Sequence, residues 1–217
     1  MTTVAILKDN RGLFLGARDQ GSRPTCLAFA LSDAHAAERP PFRALSADYL
    51  YYHAMQRMPA NHGDNGVGLN EASTALRDDG QPPETSWPYS AILPLNLAQW
   101  QPPANLPVQY ATALANAASA DAICSLLDND RSAVLVFRPS ERFYYADANG
   151  ILPDRNPDPD IPQTHAVVAV GYGATAAGRH ILIRNSWGST WGQQGHAWLS
   201  ENYLAPRLTN VTLIQAN

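Results

Sequence analysis

Residues 165–173 read His-Ala-Val-Val-Ala-Val-Gly-Tyr-Gly, and apolar runs of the same kind follow at 179–188 (RHILIRNSWG), 195–200 (GHAWLS) and 211–215 (VTLIQ). Short continuous apolar runs, rich in β-branched residues and broken by Gly, predict strands of a buried sheet. Working back toward the N-terminus, the pattern changes. CLAFALSDAHAAE (26–38) has apolar residues at Leu27, Ala30, Leu31 and Ala34, a helical spacing, with Thr25 placed to cap it. Arg39-Pro40-Pro41 ends that helix, and a second (46–58) opens on Ser46 as its cap. A third, LNEASTALRDDG, closes on Gly80. Residues 81–110, rich in Pro and Trp, have no clear period and read as a long connection. An amphipathic helix (about 119–129) and the strand SAVLVF come next, and Val4–Leu7 is a further short strand. Helices first and strands later predict an α+β body with segregated layers. With 217 residues, one domain of two lobes is expected: a helical lobe over about 20–110, and a β lobe over about 111–217 that takes in the N-terminal arm.

Composition narrows the function classes. Only 16% of residues are charged and 45% are hydrophobic, which excludes a disordered tail or a coiled coil. The net charge is -4 and Lys8 is the only lysine, so neither nucleic acid nor an anionic membrane is an expected partner. No apolar stretch nears the roughly 20 residues of a membrane helix, and the start MTTVAILKDNRG lacks the basic and apolar regions of a signal peptide. Two cysteines allow one disulfide at most, so a reducing, cytoplasmic setting is expected. No Cys/His cluster has zinc-ligand spacing, and neither a metal nor a cofactor is expected.

The two cysteines differ. Cys26 falls at the first turn of a helix, where the dipole and free N–H groups stabilise a thiolate; a lone cysteine there is equally a small buried hydrophobe. Cys124, among the apolar residues of AICSLL, reads as structural. A reactive cysteine needs a base. His35 and His53 read as partly exposed helix residues, His62 and His180 lack an evident partner, and His196 suits a satisfied core position. His165 opens a strong strand directly after a Pro-rich loop, where a side chain reaches a cleft.

Three motifs then carry a resemblance. Asp19-Gln20-Gly21 … Cys26-Leu27-Ala28-Phe29-Ala30 resembles the nucleophile motif of papain-like cysteine peptidases, with Gln20 six residues before the cysteine. Thr164 to Gly173 resembles the family's histidine strand, and Arg184-Asn185-Ser186-Trp187-Gly188 … Trp191-Gly192 … Gly195 its asparagine motif. The order Cys, His, Asn matches; Cys26 and His165 lie 139 positions apart, within the roughly 130–150 of this family, while Asn185 is somewhat farther. Weaker echoes are Leu45–Tyr51, Trp87-Pro88-Tyr89, Phe143-Tyr144 with Asn149-Gly150-Ile151, and Asp64-Asn65-Gly66-Val67-Gly68. The last sits where the family has its substrate-contacting loop.

The resemblance implies a papain-like two-lobed fold, a helical lobe and an antiparallel sheet or barrel with the active-site cleft between them. It implies a cysteine peptidase acting on peptide or isopeptide bonds of a protein or peptide substrate. In it Cys26 is the nucleophile, His165 its base, Asn185 the residue orienting that base, and Gln20 an oxyanion donor. Gly66, Val67, Gly68, Trp187 and Thr164 are the implied substrate-binding positions. Acyl transfer, glutamine deamidation and a catalytically inactive binding module are the alternatives on the same scaffold. Arg23, Pro24, Thr25 and Leu27 depart from the family's Cys-Gly-Ser/Ala-Cys-Trp/Tyr run, so a disulfide of secreted members is missing and bacterial members are the nearer resemblance. Only 25 residues precede Cys26; with no propeptide expected, restraint falls to an inhibitory or regulatory protein partner or to expression. The Pro-rich loop Leu152–Gln163 reads as a connector, or else as an acidic rim on the cleft through Asp154, Asp158 and Asp160.

Overall fold

A computed structural model describes residues 3–59, 66–93, 96–153 and 157–217. Three helices lead: α1 Cys26–Ala37, α2 Ala47–Gln56 and α3 Leu69–Asp78. Strand β1 (Ala5–Asp9) and a single 3-10 turn (Arg11–Leu13) precede them. Then come β2 Ala111–Asn116, α4 Ala120–Asp128, β3 Ala133–Phe137, β4 His165–Thr175, β5 Gly178–Arg184, β6 His196–Ser200, the one-turn α5 Glu201–Leu204 and β7 Leu208–Ala216. The strands form one antiparallel sheet in the order β2-β7-β3-β4-β5-β6, and β1 also pairs with β4. The two-lobed α+β fold expected from the pattern is the one observed.

Strands β3 to β6 are buried on both faces, which explains why they read as continuous apolar runs and not as alternations. The period of two still sorts the side chains. Val134, Ala166, Val168, Val170, Leu182 and Trp198 join the cluster built on α1, α2 and α3. Their neighbours Ala133, Leu135, Phe137, Val167, Ala169, Ile181, Ile183, Ala197 and Leu199 pack with α4 and α5 on the opposite face. Gly171 and Gly173 serve β1: a Cβ at either would stand 2.6 Å from Lys8 O or 2.5 Å from Ala5 O, so a side chain there would push the strand away.

α1 is buried from Leu27 to Ala36 and so carries no polar face. Ser46 caps α2 as expected, its Oγ accepting from Tyr49 N at 3.1 Å. Thr25 does not cap α1 with its side chain; its hydroxyl pairs instead with Tyr89 Oη at 2.9 Å. β2 went unread in the sequence because Ala-Thr-Ala-Leu-Ala-Asn has little β propensity. Its register against β7 is what makes it a strand.

His35 corrects the reading of a partly exposed helix residue, since it is fully buried with Nδ1 3.0 Å from Gln81 Oε1. Burial lowers its pKa to about 4, and does the same for His196. A folded pKa below the unfolded value of roughly 6.5 gives stability that is full above pH 6.5 and lost as pH falls toward 4. The loss per histidine reaches about 3 kcal/mol at full protonation. The urea midpoint is therefore expected to drop steadily between pH 7 and pH 4.5, and less steeply in His35→Gln. A midpoint flat across that interval would contradict the burial of both rings as neutral species.

Candidate active site

Cys26 is the first residue of α1, half-buried at the floor of a cleft of about 900 Å³ between the helices and the sheet. Burial pushes its thiol up, but the charge of His165, a hydrogen bond with that ring, and the backbone N–H groups of Ala166 and Leu27 outweigh it, so the pKa is lowered. Cys124 is the contrast: it is buried on α4, its pKa raised by desolvation.

His165 is the first residue of β4, in register with Phe137 of β3, and the sheet sets its backbone. Its Nε2 lies 2.8 Å from Asn185 Oδ1. That oxygen also accepts the Ser186 backbone N–H at 2.8 Å, which fixes the amide with its acceptor toward the ring. Nε2 is then the donor, and Nδ1 is left for Cys26. Rings enclose this pair: Trp187 stands 4.7 Å from the His165 centroid, Phe143 5.5 Å and Phe137 6.2 Å. Tyr144 stacks on Trp187 at 5.2 Å and Trp191 meets it edge-on at 5.6 Å. Excluding water strengthens the bond beneath.

Gln20 lies on the turn before α1 and is buried. Its Oε1 accepts from Ser186 Oγ at 2.7 Å and its Nε2 donates to Arg23 O at 2.7 Å. One Nε2 hydrogen is left for the cleft that Gln20 lines. The turn is held by Arg23, whose guanidinium meets Asp48 Oδ1 and Ser90 O, each at 2.5 Å, and lies over Tyr89 and Trp100 at 4.8 and 5.2 Å. The ion pair stands at the sequence position of the family's missing cysteine.

Gly66, Val67, Gly68, Leu27, Thr164 and Trp187 line the same cleft as Cys26, His165 and Gln20. Gly66 is at φ +75°, and a Cβ there would approach Pro24 O to 3.3 Å, two residues before the thiol. Asp64, Asn65 and His62 lie outside the described residues. Asn185 is buried behind His165 and does not line the cleft.

The acidic-rim reading of the loop is corrected. Asp154 is outside the described residues; Asp158 pairs with Arg142 at 2.8 Å and Arg207 at 3.4 Å, and Asp160 with Arg207 at 2.8 Å. These carboxylates are neutralised within their own lobe, and neither lines the cleft.

Sequence reasoning missed a buried ion network. Arg184, the last residue of β5, donates from Nε to Asp33 Oδ2 at 2.7 Å and from its two Nη atoms to Leu15 O and Gly16 O at 2.8 and 2.9 Å. Asp33 lies two turns along α1 from Cys26 and also meets Arg18 at 2.7 Å. The pair ties the helix that begins at Cys26 to the strand that ends beside Asn185. No local signal marks the pair, since Asp33 and Arg184 lie 151 positions apart and only the fold brings them together.

A helix-borne thiol set against a sheet-borne histidine and asparagine, across a cleft between two lobes, is the papain-like arrangement. The description "Papain family cysteine protease" matches residues 9–211, and the chain belongs to that family. It is 28% identical over 208 residues to a cathepsin L-like peptidase of Aedes aegypti, covering 88% of this chain and 57% of that protein. Over 63 residues it is 43% identical to mouse cathepsin K, covering 29% of this chain and 18% of that protein. The chain thus spans less than two thirds of the length of these curated relatives. Xylellain, a cysteine protease from Xylella fastidiosa, shares the fold with a TM-score of 0.78 at 22% identity, covering 99% of this chain and 87% of that one.

Proposed function

We propose that this chain is a cysteine peptidase, hydrolysing peptide bonds of protein or peptide substrates through a thioester on Cys26. The observation that carries the reading is Asn185 Oδ1, which accepts from both His165 Nε2 and Ser186 N and so leaves the other ring nitrogen to the thiol. The Cys26 thiol gives its proton to Nδ1 of His165 and becomes the thiolate, which its lowered pKa favours. Sγ attacks the carbonyl carbon; a C–S bond forms and the carbonyl π pair moves onto oxygen. The Cys26 backbone N–H and the second Nε2 hydrogen of Gln20 donate to that oxyanion. As the C–N bond breaks, Nδ1–H of His165 gives its proton to the leaving amine. Water, losing a proton to Nδ1, then attacks the thioester, releasing the acid and the thiolate. Gly66, Val67, Gly68, Thr164 and Trp187 supply the walls against which an extended substrate lies. An isopeptide bond presents the same carbonyl to the same groups.

The test is the product. Incubation with a reduced, unfolded protein is expected to yield new peptide termini by mass spectrometry, without ammonia. Ammonia released from an uncut chain would assign the site to side-chain deamidation, and neither product would leave an inert binding module.

A further inference from the structure

The charges lining the cleft are one-sided. Besides His165, the only charged side chains on its described walls are Arg23 and Arg138; no Asp or Glu lines it. Arg23 is buried and ion-paired, its Nη1 meeting both Asp48 and Ser90 O, and its charge is thereby matched by a carboxylate. Arg138 is exposed, and its side chain has no ion pair, hydrogen bond or ring contact with any described residue. The neighbouring arginines, Arg142 and Arg207, are matched by Asp158 and Asp160. A lone surface arginine would mean little. This one lines the same cleft as Cys26 and His165.

Its backbone is held in place. Arg138 directly follows β3, and its backbone N–H donates to Arg207 O at 3.0 Å. Pro139 follows, with its carbonyl accepting Ile161 N at 2.8 Å. Val136 and Arg138 both line the cleft, while Phe137 between them packs into the opposite cluster, as alternation along a strand requires. Pro139, Ile161 and Pro162 line the cleft beside it. An anion brought against them loses water and gains more from a guanidinium than it would in the open.

Resting on the peptidase reading, we propose that Arg138 determines specificity, selecting substrates that carry a carboxylate side chain at the position lying along the Val136–Arg138 wall. The net charge of -4 opposes acidic peptides at a distance. That opposition is screened beyond roughly 10 Å at 0.1 M salt, whereas a contact within the cleft is screened less. A pair of this partly exposed kind is worth about a three- to fivefold discrimination.

The experiment scans Glu, Gln and Lys through each position within four residues of the cleaved bond of an otherwise neutral peptide, using wild type, Arg138→Gln and Arg138→Glu. The readout is the Glu-to-Gln ratio of kcat/KM within each enzyme. Wild type is expected to favour Glu about three- to fivefold at one position, with the ratio falling toward one at 0.5 M NaCl. Arg138→Gln is expected to erase the ratio and Arg138→Glu to turn the preference toward Lys. Cleavage of the neutral peptide with no Glu preference anywhere, or a preference retained in Arg138→Gln, overturns this inference alone. No cleavage of any peptide overturns the peptidase reading and this inference with it.

Discussion

Cys26→Ala and Cys26→Ser are each expected to lower kcat/KM by at least about 10⁴, since removing one member of such a unit costs nearly what removing all costs. Alanine leaves nothing to attack the carbonyl. Serine keeps the shape but not the ionisation: the lowered pKa of Cys26 rests on the charge and hydrogen bond of His165 and on two backbone N–H groups. Those groups cannot bring a hydroxyl into the range of a neutral imidazole's proton affinity. The fold should survive, because Cys26 is half-buried and makes no disulfide. Cys124→Ala is the matched control, expected to keep activity and to cost stability by about 1 kcal/mol. Both variants are checked by steady-state kinetics alongside urea unfolding. Comparable loss of activity at the two cysteines would overturn the assignment of the nucleophile.

The second large effect falls on stability. Arg184→Ala is expected to cost about 3–5 kcal/mol, because it breaks a buried pair and leaves one partner without its counter-charge. Arg184 is 2% exposed and Asp33 4% exposed, so water cannot replace what is lost. Arg18 would still face Asp33, which sets the cost toward the lower end of that range. Asp33→Ala should cost a similar amount, as it strands two guanidinium groups. Since domains are stable by only about 5–15 kcal/mol, either change takes a large share. Denaturant unfolding measures it directly; a loss under about 1 kcal/mol for both variants would show that the pair is not desolvated as described.

The layers were legible in the sequence because hydrophobic periodicity follows burial. The runs at 165–173 and 179–184 sit on a sheet covered on both faces, and CLAFALSDAHAA is a helix covered all round. Cys26, His165, Asn185 and Gln20 were legible through motif order, and their geometry then came from folding: His165 opens β4, Asn185 follows β5, and the sheet register joins them. What stayed illegible depends on partners far along the chain. β2 exists through β7, far along the chain, with Ala113 opposite Ile214 and Leu114 opposite Leu213, and nothing local in ATALAN announces it. The acids at 158 and 160 looked free because the arginines that neutralise them, Arg142 and Arg207, are remote in sequence. Asp33 and Arg184 look like solvated charges until α1 and β5 are placed together.

The central claim is that one thiol of the two is ionised and aimed at a carbonyl. A thiol-directed epoxide is expected to inactivate the protein at one equivalent per chain, with the adduct mapped by mass spectrometry to the peptide holding Cys26. Modification should persist below the ordinary thiol range near pH 8.5, the direction in which the Cys26 pKa is moved. An adduct on Cys124, or complete labelling of Cys26 with peptide cleavage intact, would contradict it.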